Sequence, residues 1–581
     1  MPTLTIHQDG RTHPFAFTGT PTLGAALLAA GFAVMQPCGG RGTCGQCSVL
    51  SLTGAVCPPT PAELRAGVRL ACQAVLLGDA TVALQPHQPW TAIETATPTA
   101  AKQPSAARKA IFAGAAAPFQ ANQTAAWHAA DGIRQPLTGN DQAAIATPQA
   151  AEGLPPAGIA TSMPTAHLAG TQPNPSAAAA PSGASDERMP MPGAYGAAID
   201  LGTTTLVARV YDLRTGALLG EHAAVNPQAA IAADVMGRIS YALAGGLATL
   251  RDLAQGAIRA AVANACRAAG IAGVQAQVVA GNTVMLYLLT GRDPAALATA
   301  PFVPDTLFGN TLLLDGVPTY LPPCAGAFMG ADLTCAAMAT GLCDAPGTAL
   351  LCDIGTNGEL MLWHAGLLHA ASAPAGPAFE GGQISQGVGG IMGAIDRVWV
   401  EGAALGVHML GGGKPVGVCG SGLIDAVAAF LQLGRINASG AADAPSLPLA
   451  EGIALTAGDV RAVQLAKAAM AAGIRMLLRA AGAQQADVRQ VLLAGGFGSH
   501  LSVASAAAIG LIPYALAPRT RAVGNASLAG AALLLLDSGR RAQAERIAAQ
   551  AKVLQLGGDE AFEGMFLQEI GFPAAEEGDG E

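Results

Sequence analysis

The sequence is poor in aromatic and in charged residues. Phe, Tyr and Trp make up 4% of the 581 residues and Asp, Glu, Lys and Arg 12%, whereas 51% are hydrophobic, with alanine dominant. The formal net charge is −9, and the sequence has no basic run longer than Arg540-Arg541. Surfaces that bind nucleic acid or anionic membranes need clustered Lys and Arg, so we expect neither as a partner.

Long apolar runs are also missing. The longest aliphatic segment, LAGAALLLL at 528–536, is about half of the roughly 20 residues that span a bilayer. The N-terminal sequence MPTLTIHQDGRTHPF has no apolar stretch typical of a secretory signal. Eleven cysteines without such a signal favour metal ligation or buried thiols over disulfides. We therefore expect a cytoplasmic protein without membrane association.

Four cysteines near the N-terminus have the arrangement of an iron–sulfur site. Cys38, Cys44 and Cys47 lie in the Gly-rich segment PCGGRGTCGQCSVL, and Cys72 follows in RLACQ. Two iron ions bridged by sulfides need four thiolates, and glycine lets the backbone curl round the cluster and direct N–H groups at its sulfurs. We predict a [2Fe–2S] cluster on these four residues. Cys57 lies outside the spacing and is expected to be a spectator thiol.

The segments around these cysteines predict a small domain over residues 1–87. TLTIHQDGRTHPFAF is expected to form two strands, and TLGAALLAAGF a short helix just before the cysteine loop. The order of hairpin, helix, cysteine loop, strand and last cysteine resembles the [2Fe–2S] ferredoxins. The five residues between the first two cysteines are similar to the adrenodoxin-like branch. This resemblance implies a β-grasp fold.

A low-complexity stretch follows the predicted ferredoxin-like domain. Residues 88–194 consist mainly of Ala, Pro, Thr, Ser and Gln, with little charge and no sustained periodicity. Such a composition cannot form a packed core, so it predicts a disordered linker.

The remainder, 195–581, contains an internal repeat of strand, Asp-x-Gly-Thr turn and strand. AAIDLGTTTLVARV begins at Ala197 and LLCDIGTNGELMLW at Leu350, which places Asp200 and Asp353 at corresponding positions. Turn N–H groups and Thr hydroxyls can bind an anion, and an aspartate at a strand end can hold a metal ion or orient the attacking water. We predict a cleft that binds a nucleoside triphosphate, with these two aspartates catalytic. The predicted phosphate-contacting residues are Gly202, Thr203, Thr204, Thr205, Gly355, Thr356, Asn357 and Glu359.

This repeat resembles the sugar-kinase, heat-shock and actin superfamily, in which the two hairpins are called phosphate 1 and phosphate 2. VLLAGGFGSHLS at 491–502 supplies the expected strand and Gly-rich turn for an adenosine, and GVCGSGLIDAVAAF at 417–430 resembles a connecting loop that opens a helix. The candidate nucleotide-contacting residues here are Gly420, Ser421, Gly422, Gly495, Gly496 and Gly498. The resemblance implies a duplicated actin-like ATPase fold over 195–581, with two lobes that divide near residue 345.

Further segments narrow the resemblance. They occur in the order NPQAAIAADVMGRISYA (226–242), AGNTVMLYLLTG (280–291), AFMGADLTCAA (327–337), AGPAFEGGQISQGVGGIMGAIDRV (375–398) and VGNASLAGA (523–531). Together with the N-terminal cysteines they look like the ATP-dependent reductive activators of corrinoid proteins. These are iron–sulfur ATPases that re-reduce cob(II)alamin to cob(I)alamin. Members can carry a middle domain between the iron–sulfur and ATPase parts, and the low-complexity stretch leaves little room for one.

The resemblance implies a multidomain protein of α/β and α+β class with a [2Fe–2S] cluster, ATP and Mg²⁺ as cofactors. Its implied partners are a corrinoid protein of a methyltransferase system and an electron donor, whether a ferredoxin, a flavodoxin or a reductase; a homodimer stays open. Two alternatives also stay open, an ATP-dependent electron donor to a radical dehydratase and a non-catalytic nucleotide or redox sensor. Dehydratase activators are short dimers that share one cluster, so a ferredoxin-like domain within the chain disfavours the first.

Overall fold

The computed structural model describes residues 1–8, 10–30, 32, 47–84, 194–232, 234–355, 357–495 and 501–573. The predicted linker and the loop with Cys38 and Cys44 lie outside these ranges. No helix within them is long and apolar enough to cross a membrane.

The N-terminal domain is a small mixed sheet packed on one helix. The predicted hairpin and helix are confirmed, since β1 pairs antiparallel with β2 and α1 covers the sheet with Leu23 and Leu27, which pack against Leu4 and Ile6 of β1. The main sheet has the order β2-β1-β6-β4, in which β1 and β6 are parallel. Its elements are β1 (Thr3–Gln8), β2 (Arg11–Ala16), α1 (Leu23–Ala29), β3 (Ser48–Val49), β4 (Ser51–Val56), α2 (Pro61–Ala66), β5 (Arg69–Leu70) and β6 (Leu76–Ala83).

The first lobe of the remaining chain is organised on a six-stranded sheet with the order β11-β12-β10-β7-β8-β9. Strands β7 to β9 form an antiparallel meander, and β10 and β12 add to it in parallel. The elements of this lobe are β7 (Tyr195–Leu201), β8 (Thr205–Asp212), β9 (Leu218–Val225), α3 (Val235–Tyr241), α4 (Leu247–Ala269), β10 (Ala276–Gly281), α5 (Thr283–Leu289), α6 (Ala295–Ala298), β11 (Asn310–Leu314), β12 (Val317–Leu321) and α7 (Ala331–Thr340).

The second lobe repeats this topology. Its sheet has the order β22-β21-β13-β14-β15-β23, again an antiparallel meander, β13 to β15, extended by parallel strands. The predicted internal repeat is therefore a structural duplication. The elements are β13 (Thr348–Ile354), β14 (Gly358–His364), β15 (Leu367–Ala373), β16 (Ala394–Glu401), β17 (Ala404–Met409), β18 (Gly417–Val418), α8 (Gly420–Gln432), β19 (Ser446–Ala450), β20 (Ile453–Thr456), α9 (Ala457–Ala481), β21 (Val488–Ala494), α10 (Val503–Ala508), β22 (Thr520–Gly524), α11 (Ala526–Leu536), α12 (Arg541–Gln550), β23 (Ala551–Leu554) and α13 (Glu560–Gln568).

Two helices fill the space between the sheets. Helices α7 and α11 pack against each other, and α11 also contacts β7 and β10 of the first lobe although it lies far along the chain. Gly530 of α11 allows this close approach, because a Cβ there would lie 2.2 Å from the carbonyl oxygen of Cys335 in α7. The outer faces of the two sheets are covered by α4 and by α8 with α9. The layers are therefore helix, sheet, helix pair, sheet, helix.

Candidate functional site

Two of the four predicted cluster cysteines lie side by side. The Sγ atoms of Cys47 and Cys72 are 3.2 Å apart, and both residues are buried. This separation exceeds the disulfide bond length of about 2.05 Å. It is short enough for both sulfurs to bind one metal ion at about 2.3 Å, the usual metal–thiolate distance for zinc. The pair therefore fits the predicted cluster, whereas Cys38 and Cys44 lie outside the described residues.

A buried carboxylate fixes the segment that leads to Cys72. Glu63 completes a capping box with Thr60 at the start of α2, and its Oε1 accepts hydrogen bonds from Arg69 Nε and from the Leu70 amide. Burial alone would raise the pKa of Glu63, but these hydrogen bonds lower it overall. The Sγ of Cys57 accepts a hydrogen bond from the Val75 amide at 3.1 Å. Its environment suits the predicted spectator role.

Both predicted catalytic aspartates face the middle layer. In β7, Ile199 and Leu201 belong to the outer core, whereas Ala198 faces the helix pair between the sheets. Side chains alternate along a strand, so Asp200 shares the inner face with Ala198. The same alternation in β13 places Asp353 on the inner face with Leu351. The duplication thus brings both aspartates into one cleft.

The Asp200 carboxylate is held by the start of α11. Asn525 Nδ2 donates to Asp200 Oδ2 at 2.8 Å, and Ser527 Oγ donates to Oδ1 at 2.9 Å. Burial raises the pKa of Asp200 to about 6, although these two hydrogen bonds lower it. Both oxygens are thereby oriented before any ligand binds.

Each carbonyl oxygen in the turn of the first hairpin, from Gly202 to Thr204, accepts a hydrogen bond from the first lobe. Asn226 donates from Nδ2 to Gly202 O and from its amide to Thr204 O, each at 2.8 Å. Arg238 Nη2 donates to Thr203 O at 2.6 Å. Since these oxygens are occupied on the side of the first lobe, the conformation of the turn is fixed. Thr205, the last of the predicted threonines, is the buried first residue of β8.

The Arg238 guanidinium is a buried cation beneath this turn. It also donates to Ala232 O and to Gln228 Oε1, each at 3.0 Å. Burial lowers the pKa of Arg238 to about 9, against the charges of Asp234 and Glu380, which raise it. A cation under the turn favours an anion on its open side.

The second hairpin carries polar atoms that lack partners. Asn357 is 1% exposed, and neither its Oδ1 nor its Nδ2 has a hydrogen-bond partner among the described residues; the same holds for Glu359 Oε1. Buried polar groups in this state cost free energy unless a ligand, ion or water satisfies them. Burial, followed by the charge of Asp200, raises the pKa of Asp353 to about 7. These observations fit a site for phosphates and a divalent cation.

A further buried carboxylate, Asp332, joins the cleft at the start of α7. Burial and the charges of Asp200 and Asp353 raise its pKa, and burial with the charges of Asp332 and Asp353 raises that of Glu359. Among the described residues, however, no three of these side chains converge closely enough to hold a metal ion by themselves. A Mg²⁺ ion here would therefore also need phosphate oxygens and water, which Mg²⁺ commonly keeps as ligands in proteins. The N-terminal ends of α7 and α11 lie beside these carboxylates, where helix dipoles favour anions.

The two Gly-rich segments are placed differently. Gly495 follows β21 with a φ of +88°, and a Cβ on it would lie 2.5 Å from Asp353 Oδ1, so only glycine fits beside this carboxylate. Gly496, Gly498 and Thr356 lie outside the described residues. At the other segment, Gly420 to Gly422 form the first turn of α8, and Ser421 Oγ donates to Asp396 O at 2.8 Å. Gly422 packs on β16, where a Cβ would lie 2.2 Å from Ile395 O.

Three family descriptions match this chain in succession. A 2Fe-2S iron-sulfur cluster binding domain matches 6–77, the RACo middle region matches 195–345, and the C-terminal domain of RACo, its ASKHA domain, matches 347–579. The two RACo regions together cover more than half of the chain. The chain belongs to the RACo family.

Two curated relatives support this assignment. The corrinoid activation enzyme RamQ of Eubacterium limosum is 33% identical over 385 residues, which cover 59% of this chain and 64% of RamQ. This chain therefore spans less than two thirds of RamQ. The [Co(II) methylated amine-specific corrinoid protein] reductase of Methanosarcina barkeri is 26% identical over 422 residues, which cover 65% of this chain and 77% of the reductase.

A solved structure shares the fold of this RACo-family chain. A reductive activator for a corrinoid, iron-sulfur protein has a TM-score of 0.63 and 24% identity, with 98% of both chains covered. The sequence-based fold class, a ferredoxin-like domain followed by an actin-like fold, is confirmed. One expectation was wrong: the family's middle region does not need room within the low-complexity stretch, because it coincides with the first lobe at 195–345.

The sequence motifs do not identify several residues of the RACo-family cleft. Asp332 lies in the segment AFMGADLTCAA and Asn525 and Ser527 in VGNASLAGA, yet nothing in those segments indicates Asp200 as their neighbour. Asn525 and Ser527 are 325 and 327 positions from Asp200 in sequence. A polar residue at the start of an apolar helix is a signal for a helix cap, and it was the one signal available for Asn525, which does cap α11.

Proposed function

We propose that this protein uses ATP to drive the one-electron reduction of a corrinoid protein, from cob(II)alamin to cob(I)alamin. The observation that carries the proposal is the presence in one chain of a paired cysteine site, Cys47 with Cys72, and of a cleft with four buried carboxylates. A redox site and a nucleotide site in the same chain are what an electron transfer driven by ATP requires. The names of the relatives, a corrinoid activation enzyme and a corrinoid protein reductase, agree with it.

The cleft residues have separable roles in this proposal. Asp200 and Asp353 would hold Mg²⁺ together with phosphate oxygens and orient the attacking water, because both are buried and the charge of Asp200 acts on the pKa of Asp353. Thr203, Thr204 and Asn357 would bind the phosphates. Gly495 would let the adenosine segment approach Asp353. Helices α7 and α11 would transmit closure of the cleft, since they lie between both sheets.

The cysteine site would supply a one-electron carrier when its [2Fe–2S] cluster is bound by Cys38, Cys44, Cys47 and Cys72. Plant-type clusters have potentials of about −400 mV, and the cob(II)/cob(I) couple of the resembling family lies lower. A gap of about 200 mV corresponds to a factor of about 10³ against product. A protein that binds one state of its partner more tightly shifts such an equilibrium by the ratio of its affinities for the two states. ATP binding would set this preference, and hydrolysis would release the partner.

The test is a spectroscopic assay under anaerobic conditions. Reconstituted protein, ATP–Mg²⁺ and a low-potential reductant are mixed with a methyltransferase corrinoid protein in its cob(II) form. We expect the visible spectrum to change from cob(II) to cob(I), and we expect no change without ATP or with a Cys72→Ser variant. That variant should still hydrolyse ATP, because the cleft lies in other parts of the chain.

ATP hydrolysis without cobalt reduction, in the presence of reductant and a loaded cluster, would contradict the proposal. It would leave the electron donor to a radical dehydratase as the better hypothesis. Partner binding that depends on ATP but proceeds without any hydrolysis would instead favour a sensor. The electron donor, a ferredoxin, flavodoxin or reductase, is proposed on the family resemblance alone.

A further inference from the structure

A hydrogen bond joins the turn of the first hairpin to the second lobe. Thr204 Oγ1, in the turn of the first hairpin, donates to Glu380 Oε2 of the second lobe at 3.1 Å. Glu380 is the last residue of the 3₁₀ helix Pro377–Glu380, in the segment between β15 and β16. The hydroxyl that is predicted to bind a phosphate therefore donates to a carboxylate in this structure.

The surroundings of this bond favour an anion. The three carbonyls of the turn are bound on the side of the first lobe, and the Arg238 guanidinium lies beneath Thr203. The charge of Glu380 also acts on Arg238, so the carboxylate lies within the field of the buried cation. The Glu380 carboxylate therefore lies at the hydroxyl that is predicted to contact a phosphate.

We propose that the Glu380 carboxylate competes with the phosphates of ATP for the Thr204 hydroxyl and thereby lowers the affinity of the cleft for the nucleotide. A hydroxyl has one proton to donate, so it cannot serve a carboxylate and a phosphate together. Two anions at one donor also repel each other. This inference rests on the proposed function in one respect, namely that the first hairpin binds ATP.

The backbone segment that carries Glu380 is closely packed and anchored to the rest of the second lobe. Gly381, with a φ of +76°, would place a Cβ 2.5 Å from Val388 O. Ser385 donates from its amide and its Oγ to the two carboxylate oxygens of Asp459, at 2.7 and 2.6 Å. Asp459 lies in the first turn of α9. Displacement of Glu380 by a phosphate would therefore break a contact between lobes and act on the segment anchored to α9.

The experiment measures ATP–Mg²⁺ binding by calorimetry, which needs neither the cluster nor a corrinoid protein. We expect Glu380→Gln to bind ATP about tenfold more tightly than the natural protein, because a hydrogen bond to a charged group no longer has to be broken. The matched control is Glu451→Gln, which removes the same charge from the exposed turn between β19 and β20. It should leave the dissociation constant unchanged.

A second variant separates competition for the hydroxyl from repulsion between charges. In a Thr204→Val background the hydroxyl is gone, so Glu380→Gln should tighten binding by a smaller factor than in the natural background. Unchanged or weaker binding in Glu380→Gln, or an equal factor in both backgrounds, would overturn the inference. If the natural protein itself binds no ATP, the proposed function fails instead, and the two failures are distinguishable.

Discussion

The two hairpins of the cleft have the same topology but differ in how their polar groups are satisfied. In the first, both Asp200 oxygens and every carbonyl of the turn have partners, supplied by Asn226, Arg238, Asn525 and Ser527. In the second, both polar atoms of the Asn357 side chain and Glu359 Oε1 have none among the described residues. Duplication has preserved the strand order but not the hydrogen bonding.

This difference indicates a division of labour. The first hairpin is organised before a ligand arrives, as is expected of a group that positions phosphates. The second hairpin carries the cost of buried polar atoms that a nucleotide and a cation would satisfy. Ligand binding should therefore stabilise the second lobe more than the first.

The largest effect is expected at Asp353. Asp353→Asn should reduce ATP hydrolysis at least about 100-fold, because a metal-binding carboxylate contributes several kcal/mol to stabilising the transition state. The measurement is steady-state phosphate release. Asp344→Asn, at an exposed site just before β13, is the control and should leave the rate unchanged. A rate within tenfold of the natural protein would show that the second hairpin does not hold the reacting groups.

The same variant should also change the pH dependence of stability. The pKa of Asp353 rises from its ordinary 3.8 to about 7 in the folded protein, so between about pH 4 and pH 7 the folded state retains a proton that the unfolded state releases. Stability from this group is present below about pH 4 and is lost as the pH rises to about 7. Without nucleotide, Asp353→Asn should be the more stable protein at pH 8, by on the order of 2 kcal/mol. Urea unfolding at pH 5 and pH 8 measures this, and a steeper loss of stability in the variant would contradict it.

Sequence patterns predicted those parts of the cleft that are local in the chain. Alternating apolar residues ending in Asp-x-Gly-Thr predicted both hairpins, since strand period and turn chemistry depend on neighbours in sequence. Cys47 and Cys72 were predicted as two of four cluster ligands, because residue type and spacing carry that chemistry. Their 25-residue separation is bridged by a fold that resembles a known one.

The remaining site residues could not be predicted in the same way. Ser527 reaches Asp200 because α11 crosses to the first lobe, and Glu380 reaches Thr204 across the cleft. Such contacts depend on how elements pack, which periodicity within one element does not encode. The misplacement of the middle region has a similar cause, because composition marks where a linker lies but not how the family divides the folded part.

At the first hairpin, Ser527→Ala should lower the stability of the protein at pH 8, whereas Asp353→Asn at the second hairpin should raise it. The variant leaves Asp200 Oδ1 without its donor, which should cost about 1–3 kcal/mol when the carboxylate is ionised. The hydrogen bond lowers the pKa of Asp200, so its loss raises that pKa above about 6 and the destabilisation should be larger at pH 8 than at pH 5. Urea unfolding at both pH values tests this. Ser527→Thr keeps the hydroxyl and should recover most of the loss, whereas equal destabilisation at both pH values would show that Ser527 only fills space.

The smallest effect is expected at Ser421, a polar residue of the second lobe that lies outside both hairpins. Its Oγ donates to Asp396 O, so the hydroxyl is satisfied within the second lobe, unlike the side chain of Asn357. Ser421→Ala should therefore cost about 1 kcal/mol of stability and leave the dissociation constant of ATP within about twofold. Calorimetric titration with ATP and urea unfolding separate the two quantities. Tenfold weaker binding would mean that the hydroxyl leaves Asp396 for the nucleotide, and that the second lobe, like the first, exchanges an internal hydrogen bond for a ligand.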